Sequence, residues 1–557
     1  MRSKQFKKIL LIFLLIFLVA CPVSVWAWDR STVNVPPDSS LYRDLDKLVA
    51  WGLVHPPILG QRPYPRSEFA RMTAEARQKL ESEEKNIGDR RLKQINLVLN
   101  RLEQEFKEDL TKDGDVFRFH PFEELNIYTT YLNSPATTIP PNNGRGLINA
   151  QINPMGDYNL GRQAIDGFQM AYEPVAYFQT TKFFSGYARP RLEADMPRQN
   201  NMQGHIYLQN GYGVFRAGNF IFEFGRDSML WGIGERGGLL YSTNPRPLDG
   251  IRITNPTPYK LPWVFKYLGY WRYTMFAANF GPEFAQKYAW MAGYKLSWEP
   301  VKYVEIGLGH VVMIGGEGAA TPSAIDVVGE FFGFRPAGTN STSPNLTNHI
   351  FEVEYLFRIQ PLRGLQLYGD ISIDDKWKSI KKTLKHGCSY LWGVYLPALN
   401  YSGSADLRVE YVKTSPLQYH HGLYSDGFTL NRKLLGTDAG PDADAVYAKF
   451  RHTLSDKLWY GLEFGWDYRR SDTYTELVNP NGTAGDVIKV ASGPTEQRFR
   501  FLADLNWQVK KHLNLHFTTG YERAQNLNFV QNVGRNNYLL ALAISLDLDR
   551  YFTFETN

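Results

Sequence analysis

Cysteine is nearly absent: only Cys21 and Cys388 stand in a chain of 557 residues. A disulfide framework is therefore excluded. Beyond residue 28 there is also no apolar run of about 18 residues or more, which excludes a bundle of membrane-crossing helices. Charge of one sign is scarce as well. The formal net charge is +6, and four of the positive charges, Arg2, Lys4, Lys7 and Lys8, precede an apolar stretch from Ile9 to Ala20. With Val25-Trp26-Ala27 behind it, that layout reads as a secretory leader over residues 1–27. Its removal leaves the chain at +2, too little for a nucleic-acid-binding surface.

Aromatic residues are what the chain has in excess: 33 Tyr, 34 Phe and 13 Trp, or 14%, beside 47 Gly and a mean hydropathy of −0.36. Enough apolar surface exists for a large core, so wholesale disorder is excluded. Leu18-Val19-Ala20-Cys21 resembles a bacterial lipobox in which Cys21 would carry lipid. An ordinary leader cysteine is the preferred reading, because a chain that inserts by its own strands needs no acyl anchor. Cys388 then reads as a packed strand residue.

The periodicity divides the chain in two. Residues 38–113 read as helical: Leu41, Leu45, Leu48 and Trp51 recur at helical spacing up to Gly52, Leu92, Ile95, Leu99, Leu102 and Phe106 form a second stripe, and a shorter helix lies around Phe69 to Leu80. Residues 28–115 are expected to form a small periplasmic helical domain. From residue 116 the period falls to 2. Phe499, Phe501, Ala503, Leu505 and Trp507 alternate with Arg498, Arg500, Asp504, Asn506 and Gln508; Leu458, Tyr460, Leu462, Phe464, Trp466 and Tyr468 alternate with Trp459, Gly461, Glu463, Gly465, Asp467 and Arg469. Strands in soluble sheets run about five or six residues, whereas a strand tilted across a bilayer needs about 9 to 11. The fold class predicted is mainly β: an antiparallel transmembrane β-barrel over residues 116–557, preceded by the helices.

Connection lengths support this. The links at 510–512, 453–456, 397–402, 360–363 and 299–302 are short; those at 524–536, 470–496, 414–442, 374–387 and 314–348 are long, in strict alternation. Tight turns on one side and long loops on the other are the habit of outer-membrane barrels. Twelve strands from about Trp271 onward and about six within 125–226 give about 18 in all, although the short link at 179–182 falls where parity asks for a long one. Residues 227–268 fit neither period. Gly232, Gly234, Gly237 and Gly238, then Pro245, Pro247, Pro256, Pro258 and Pro262, exclude a lipid-facing strand and suggest a plug or lumen-lining segment.

Chemical motifs are weak. Gly232-Ile233-Gly234-Glu235-Arg236-Gly237 matches G-x-G-x-x-G, but no βαβ unit surrounds it, so a nucleotide site is rejected. His420-His421 lacks spaced partners and reads as a solvated loop pair; Asp438, Asp442 and Asp444 lack the glycine and terminal glutamate of a calcium loop. No catalytic residue, metal or cofactor is expected. The polar strand faces place Glu352, Glu354, Arg358, Asp406, Arg408, Glu410, Arg498, Arg500 and Asp504 in the lumen, as a salt-bridged interior or as a path for a polar solute. Trp231, Arg236 and Arg246 are the preferred plug residues, with a purely backbone-specifying segment as the alternative. In the outer loops Phe331, Phe332, Phe334 and Arg335, and Tyr419, His420, Tyr424 and Asp426, set aromatic faces beside polar groups, the chemistry that binds sugars.

The segment Asp227-Ser228-Met229-Leu230-Trp231-Gly232-Ile233-Gly234, continuing through Gly238-Leu239-Leu240-Tyr241-Ser242-Thr243-Asn244-Pro245-Arg246-Pro247 and Gly250-Ile251, resembles the central signature of the capsule-assembly Wzi family. The stretch Leu41-Tyr42-Arg43-Asp44-Leu45 through Leu48, Gly52 and Leu53 is similar to that family's helical start. The resemblance implies an 18-stranded barrel of the bacterial outer membrane with periplasmic helices, no enzymatic activity, and attachment of capsular or exopolysaccharide to the cell surface. Its expected partners are surface polysaccharide and outer-membrane lipid, with no nucleic acid, in a monomer. Residues 41–76, with Gly52, Pro65, Arg66, Glu68, Phe69 and Ala70, also resemble one S-layer-homology repeat. That alternative implies a porin for small polar solutes, tethered to a periplasmic or cell-wall partner.

Overall fold

The computed structural model describes the chain except residues 1–29, 56–57, 84–86, 112–116, 145, 157–159, 181–182, 320–322, 334–346, 375–379, 482–483, 550–553 and 557. The leader, with Cys21, lies outside the described residues. Four helices come first among the described residues: α1 (Leu41–Ala50), α2 (Arg66–Glu83), α3 (Asp89–Glu105) and the single turn α4 (Lys107–Leu110). Their apolar stripes meet, Tyr42 edge-on to Phe69 at 5.1 Å and Phe69 stacked on Phe106 at 5.1 Å. Gly52, at φ +78°, turns the chain out of α1, a conformation that costs glycine nothing.

Eighteen strands then close a barrel. They are β1 (Phe117–Leu132), β2 (Gly167–Gln179), β3 (Phe184–Pro197), β4 (Gln203–Ala217), β5 (Phe220–Arg226), β6 (Asp249–Thr254, resumed at Tyr259–Lys260), β7 (Tyr270–Asn279), β8 (Trp290–Val301) and β9 (Val304–Ile314). The second half holds β10 (Thr347–Ile359), β11 (Leu365–Ile373), β12 (Cys388–Leu396), β13 (Ala405–Lys413), β14 (Ala443–Thr453), β15 (Leu458–Arg469), β16 (Glu496–Lys510), β17 (Leu513–Gln525) and β18 (Gly534–Asp547, resumed at Phe554–Thr556). Every neighbour is antiparallel, and β18 closes on β1 through Leu546↔Leu125 to Leu539↔Leu132. Closure leaves no unpaired edge.

Period 2 sets the two faces. On β10, Phe351, Val353 and Phe357 are exposed outward while Glu352, Glu354 and Arg358 are buried inward; on β16, Phe499, Phe501, Leu505 and Trp507 face out against buried Arg498 and Arg500. An apolar exterior around a charged interior is the arrangement a bilayer demands.

The strand total of about 18 holds, but its distribution needs correction. Only five strands lie within residues 117–226. The sixth is Asp249–Thr254, which pairs with Phe222 and Phe224 of β5 on one side and with Thr274 to Asn279 of β7 on the other. It falls inside the stretch read as a plug, where the prolines on either side concealed a six-residue strand free of them. With it counted, the short link at 179–182 takes its proper place, on the same end as the other tight turns. That end also carries the helices and is called the helix end below; the other is the loop end.

The helices share a core with the barrel. Leu45, Leu48, Phe69, Leu99 and Phe106 are continuous with Leu356, Tyr368, Leu391 and Tyr395 of the wall. Lys47 and Arg43 each approach Asp406 at 2.8 Å, and burial lowers the Lys47 ammonium to about 8 even with that carboxylate beside it.

Candidate functional site

The lumen is filled by the protein's own chain from both ends. From the helix end, residues 58–64 run inward, and the Glu305 carboxylate accepts the backbone N–H groups of Leu59 at 3.0 Å and Gly60 at 3.1 Å. From the loop end, residues 227–248 descend to meet them. The two segments pair as short antiparallel strands, Gln61↔Trp231 and Arg62↔Leu230, and the Gly232 N–H donates to the Gly60 carbonyl at 3.0 Å. Trp231 is wholly buried at this junction, edge-on to Phe276 of β7 at 5.3 Å.

The glycines that mimic a nucleotide loop serve this packing. Gly232 has φ +118°, and a Cβ there would lie 2.3 Å from Gly238 Cα; one on Gly238 would lie 2.5 Å from the Trp231 carbonyl. Backbone thus packs on backbone within a closed turn, with no opening for a phosphate.

The charged lumen residues hold this filling in place. Arg236 donates to Asp438 of a loop-end loop at 3.0 Å, pairs with Glu463 of β15, and covers the Tyr447 ring of β14 at 4.4 Å. Glu235 pairs with Arg451 and stands 3.4 Å from Lys449, while its N–H donates to Glu410 at 2.7 Å. Arg408 donates to the Ile233 carbonyl at 2.9 Å and reaches Asp46 of α1 at 3.3 Å. Arg358 pairs with Glu305 at 2.6 Å, which aims that carboxylate at Leu59 and Gly60. Lys295 bridges Glu352, at 3.1 Å, and Glu354. Arg498 binds Glu496 and Glu522 and reaches Thr137 of a loop; Arg500 pairs with Asp467. Asp504 accepts from Thr518 at 2.8 Å near the helix end. Charges so engaged are neutralised, and a cavity lined by Arg43, Asp46, Glu235, Arg408 and Lys449 holds about 10 Å³, room for about one water.

Several loop residues stand differently from the sequence reading. Tyr419 and Tyr424 are fully buried, their hydroxyls donating to the carbonyls of Leu239 at 2.6 Å and Gly315 at 3.2 Å, so neither ring face is open to a sugar. His420 and His421 are buried instead of solvated, and burial lowers each to about 4. The His421 Nδ1 accepts the N–H groups of Leu423 and Tyr424, which a proton there would displace. Phe334 and Arg335 lie outside the described residues. Arg246 is half-buried, and its Nε has no hydrogen-bond partner among the described residues. Burial and the neighbouring Arg226 lower that guanidinium from its ordinary value.

At the loop end three loops converge on Asp426, whose carboxylate accepts from the Asn149 side chain at 3.0 Å and from the Ala285 N–H at 2.7 Å. Asn431 and Arg432 are exposed beside it, with the Gln151 N–H donating to the Arg432 carbonyl at 2.7 Å. Asn149, Gln151 and Arg432 gave no sequence signal, since polar residues scattered among loops have no period. Away from the lumen, His120, Glu123 and Asp549 bring possible metal-ligand atoms within 4.8 Å of one another at the helix end.

These features define a class: a β-barrel of the bacterial outer membrane whose lumen is occupied by its own chain. The family model for capsule assembly protein Wzi matches residues 153–539, and the chain belongs to that family. Among curated proteins, it is 24% identical over 195 residues to an uncharacterized 55.8 kDa protein in the cps region of Klebsiella pneumoniae, covering 33% of this chain and 38% of that protein's length. Among solved structures, it is similar to Wzi of Escherichia coli, described as an outer membrane protein involved in group 1 capsule assembly and a carbohydrate-binding β-barrel: TM-score 0.62, 16% identity, 92% of this chain and 99% of that one. OprD of Pseudomonas aeruginosa aligns at TM-score 0.40 and 8% identity over 80% of this chain and 97% of that one.

Proposed function

We propose that this protein is a non-enzymatic surface receptor of the outer membrane that binds capsular or exopolysaccharide on its loop end and helps assemble or anchor it there. The observation that carries the reading is the occluded lumen: a barrel filled from both ends by its own chain, where residues 61–62 pair with residues 230–231, offers a ligand its outer surface and not its bore. Family membership supports the polysaccharide, as does the carbohydrate binding described for Wzi of Escherichia coli. The loop-end surface supplies the chemistry. Asn149, Asp426, Asn431 and Arg432 offer hydrogen bonds to hydroxyls.

Deleting the gene and comparing retained with shed polysaccharide tests the role; unchanged retention, with no glycan bound by the purified protein, overturns it. The porin reading predicts large, stable single-channel steps in a planar bilayer. The filled lumen predicts a silent one.

A further inference from the structure

Between the two parts of β6 and β7 the helix-end link carries a six-residue 3₁₀ turn, Trp263–Leu268, in which no side chain is buried. Trp263 is 84% exposed, Val264 70%, Phe265 52%, Tyr267 79% and Leu268 41%. Five large apolar side chains of six, presented together, do not stay in water without a partner. The turn is also held firmly. Pro262 precedes it, and Gly269 follows at φ +93°, where a Cβ would lie 2.0 Å from the Glu299 carbonyl. The indole N–H of Trp298 donates to the Leu268 carbonyl.

That last contact shows what the patch adjoins. Trp298 and Trp271 stack at 5.3 Å on the outward face of β8 and β7, at the helix-end margin of the lipid-facing surface. The margin continues along the next turn as exposed Val301 and Tyr303. Lys260, Lys266 and Lys302 are interspersed, each with its ammonium 4.6 to 5.2 Å from a tyrosine ring centroid. Tryptophan and tyrosine with snorkelling lysines are what settles where acyl chains give way to headgroups.

We propose that Trp263–Leu268 is an interfacial foot, inserted into the phospholipid leaflet at the helix end, that fixes the depth and tilt of this side of the barrel. The foot lies beside the wall and extends the lipid-contacting belt outward from it. The lysines would meet lipid phosphates while Trp263, Phe265 and Leu268 lie among the upper acyl carbons.

The test uses the mature full-length protein with Cys388→Ser, carrying a single new thiol at Phe265→Cys, labelled with an environment-sensitive fluorophore and reconstituted in phosphatidylethanolamine/phosphatidylglycerol liposomes. Val264→Cys is a second position in case the first perturbs the turn, and Asp456→Cys, on an exposed turn of the same end, is the aqueous control. Correct folding is checked by heat-modifiable migration. The foot labels are expected to be quenched at least twofold more by phosphatidylcholine spin-labelled at acyl carbon 5 than the Asp456 label, and at least twofold less by iodide. Foot labels as open to iodide as the control, and untouched by the spin-labelled lipid, overturn the proposal and leave the patch to a soluble partner.

Discussion

Arg236→Met removes a guanidinium that ties the lumen filling, a loop-end loop and the barrel wall together. Arg236 pairs with Asp438 and Glu463, whose side chains are 0% and 9% exposed. Glu463 keeps Lys449 at 3.3 Å after the substitution. Asp438 loses the Arg236 guanidinium at 3.0 Å. Removing one partner of a buried ion pair costs about 3–5 kcal/mol, and the lost cover over the Tyr447 ring adds about 1 kcal/mol. Methionine keeps most of the stem's apolar contact, so the loss is electrostatic. Urea unfolding in detergent, followed by the shift between folded and unfolded bands, should show the variant destabilised by about 3–5 kcal/mol, and limited proteolysis should cut within residues 414–442 first. Adding Asp438→Asn removes the buried charge that Arg236 faced and should recover at least half of the loss; Arg236→Lys should fall between. A single variant within about 1 kcal/mol of the parent, with the loop still protected, would refute the clamp, as would a double variant no better than the single one.

Three further outcomes follow from the same geometry. His420 and His421 are held near 4, below the ordinary value of 6.5, so the unfolded loop takes up protons first as the pH falls. Stability is then full above about pH 6.5 and drains away toward pH 4, by on the order of 3 kcal/mol for each histidine; protease protection of the loop end measured from pH 7.5 to 4.5 should fall, and His421→Gln should flatten the profile. Gly232→Ala meets Gly238 at 2.3 Å with φ +118°, and should cost at least about 1–3 kcal/mol from backbone strain alone, whereas Gly204→Ala, whose nearest neighbour is 3.9 Å away, should leave the urea midpoint in place. Glu305→Ala removes the ion pair with Arg358 at 2.6 Å and the acceptor of the Leu59 and Gly60 N–H groups, so it should destabilise by about 3–5 kcal/mol and speed hydrogen exchange at those two amides.

Much of the fold was legible because a bilayer enforces period 2 on both faces of a strand for its full length. The alternation of Phe499, Phe501 and Leu505 with Arg498 and Arg500 survives in the structure residue by residue. The strand at Asp249–Thr254 was hidden because it is short and flanked by prolines, and only the register against β5 and β7 reveals it. The lumen residues were found by face, but their partners were not. Period places Arg408 inside, and nothing in sequence says that it would meet the Ile233 carbonyl 175 positions away. Tyr419 and Tyr424 mark a general difficulty: an aromatic in a long loop looks available, yet a loop that folds over a barrel mouth makes a core of its own, here with Phe428, Leu434 and Leu435.

The pairing of Gln61 with Trp231 has a consequence for how such a chain is built. Residues separated by 170 positions must join inside a ring that is itself sealed only when β18 meets β1. Each filling supplies backbone hydrogen bonds that the other needs, the Gly232 N–H to the Gly60 carbonyl among them. The two therefore stabilise each other, and loosening either end leaves backbone groups of both without partners inside the ring.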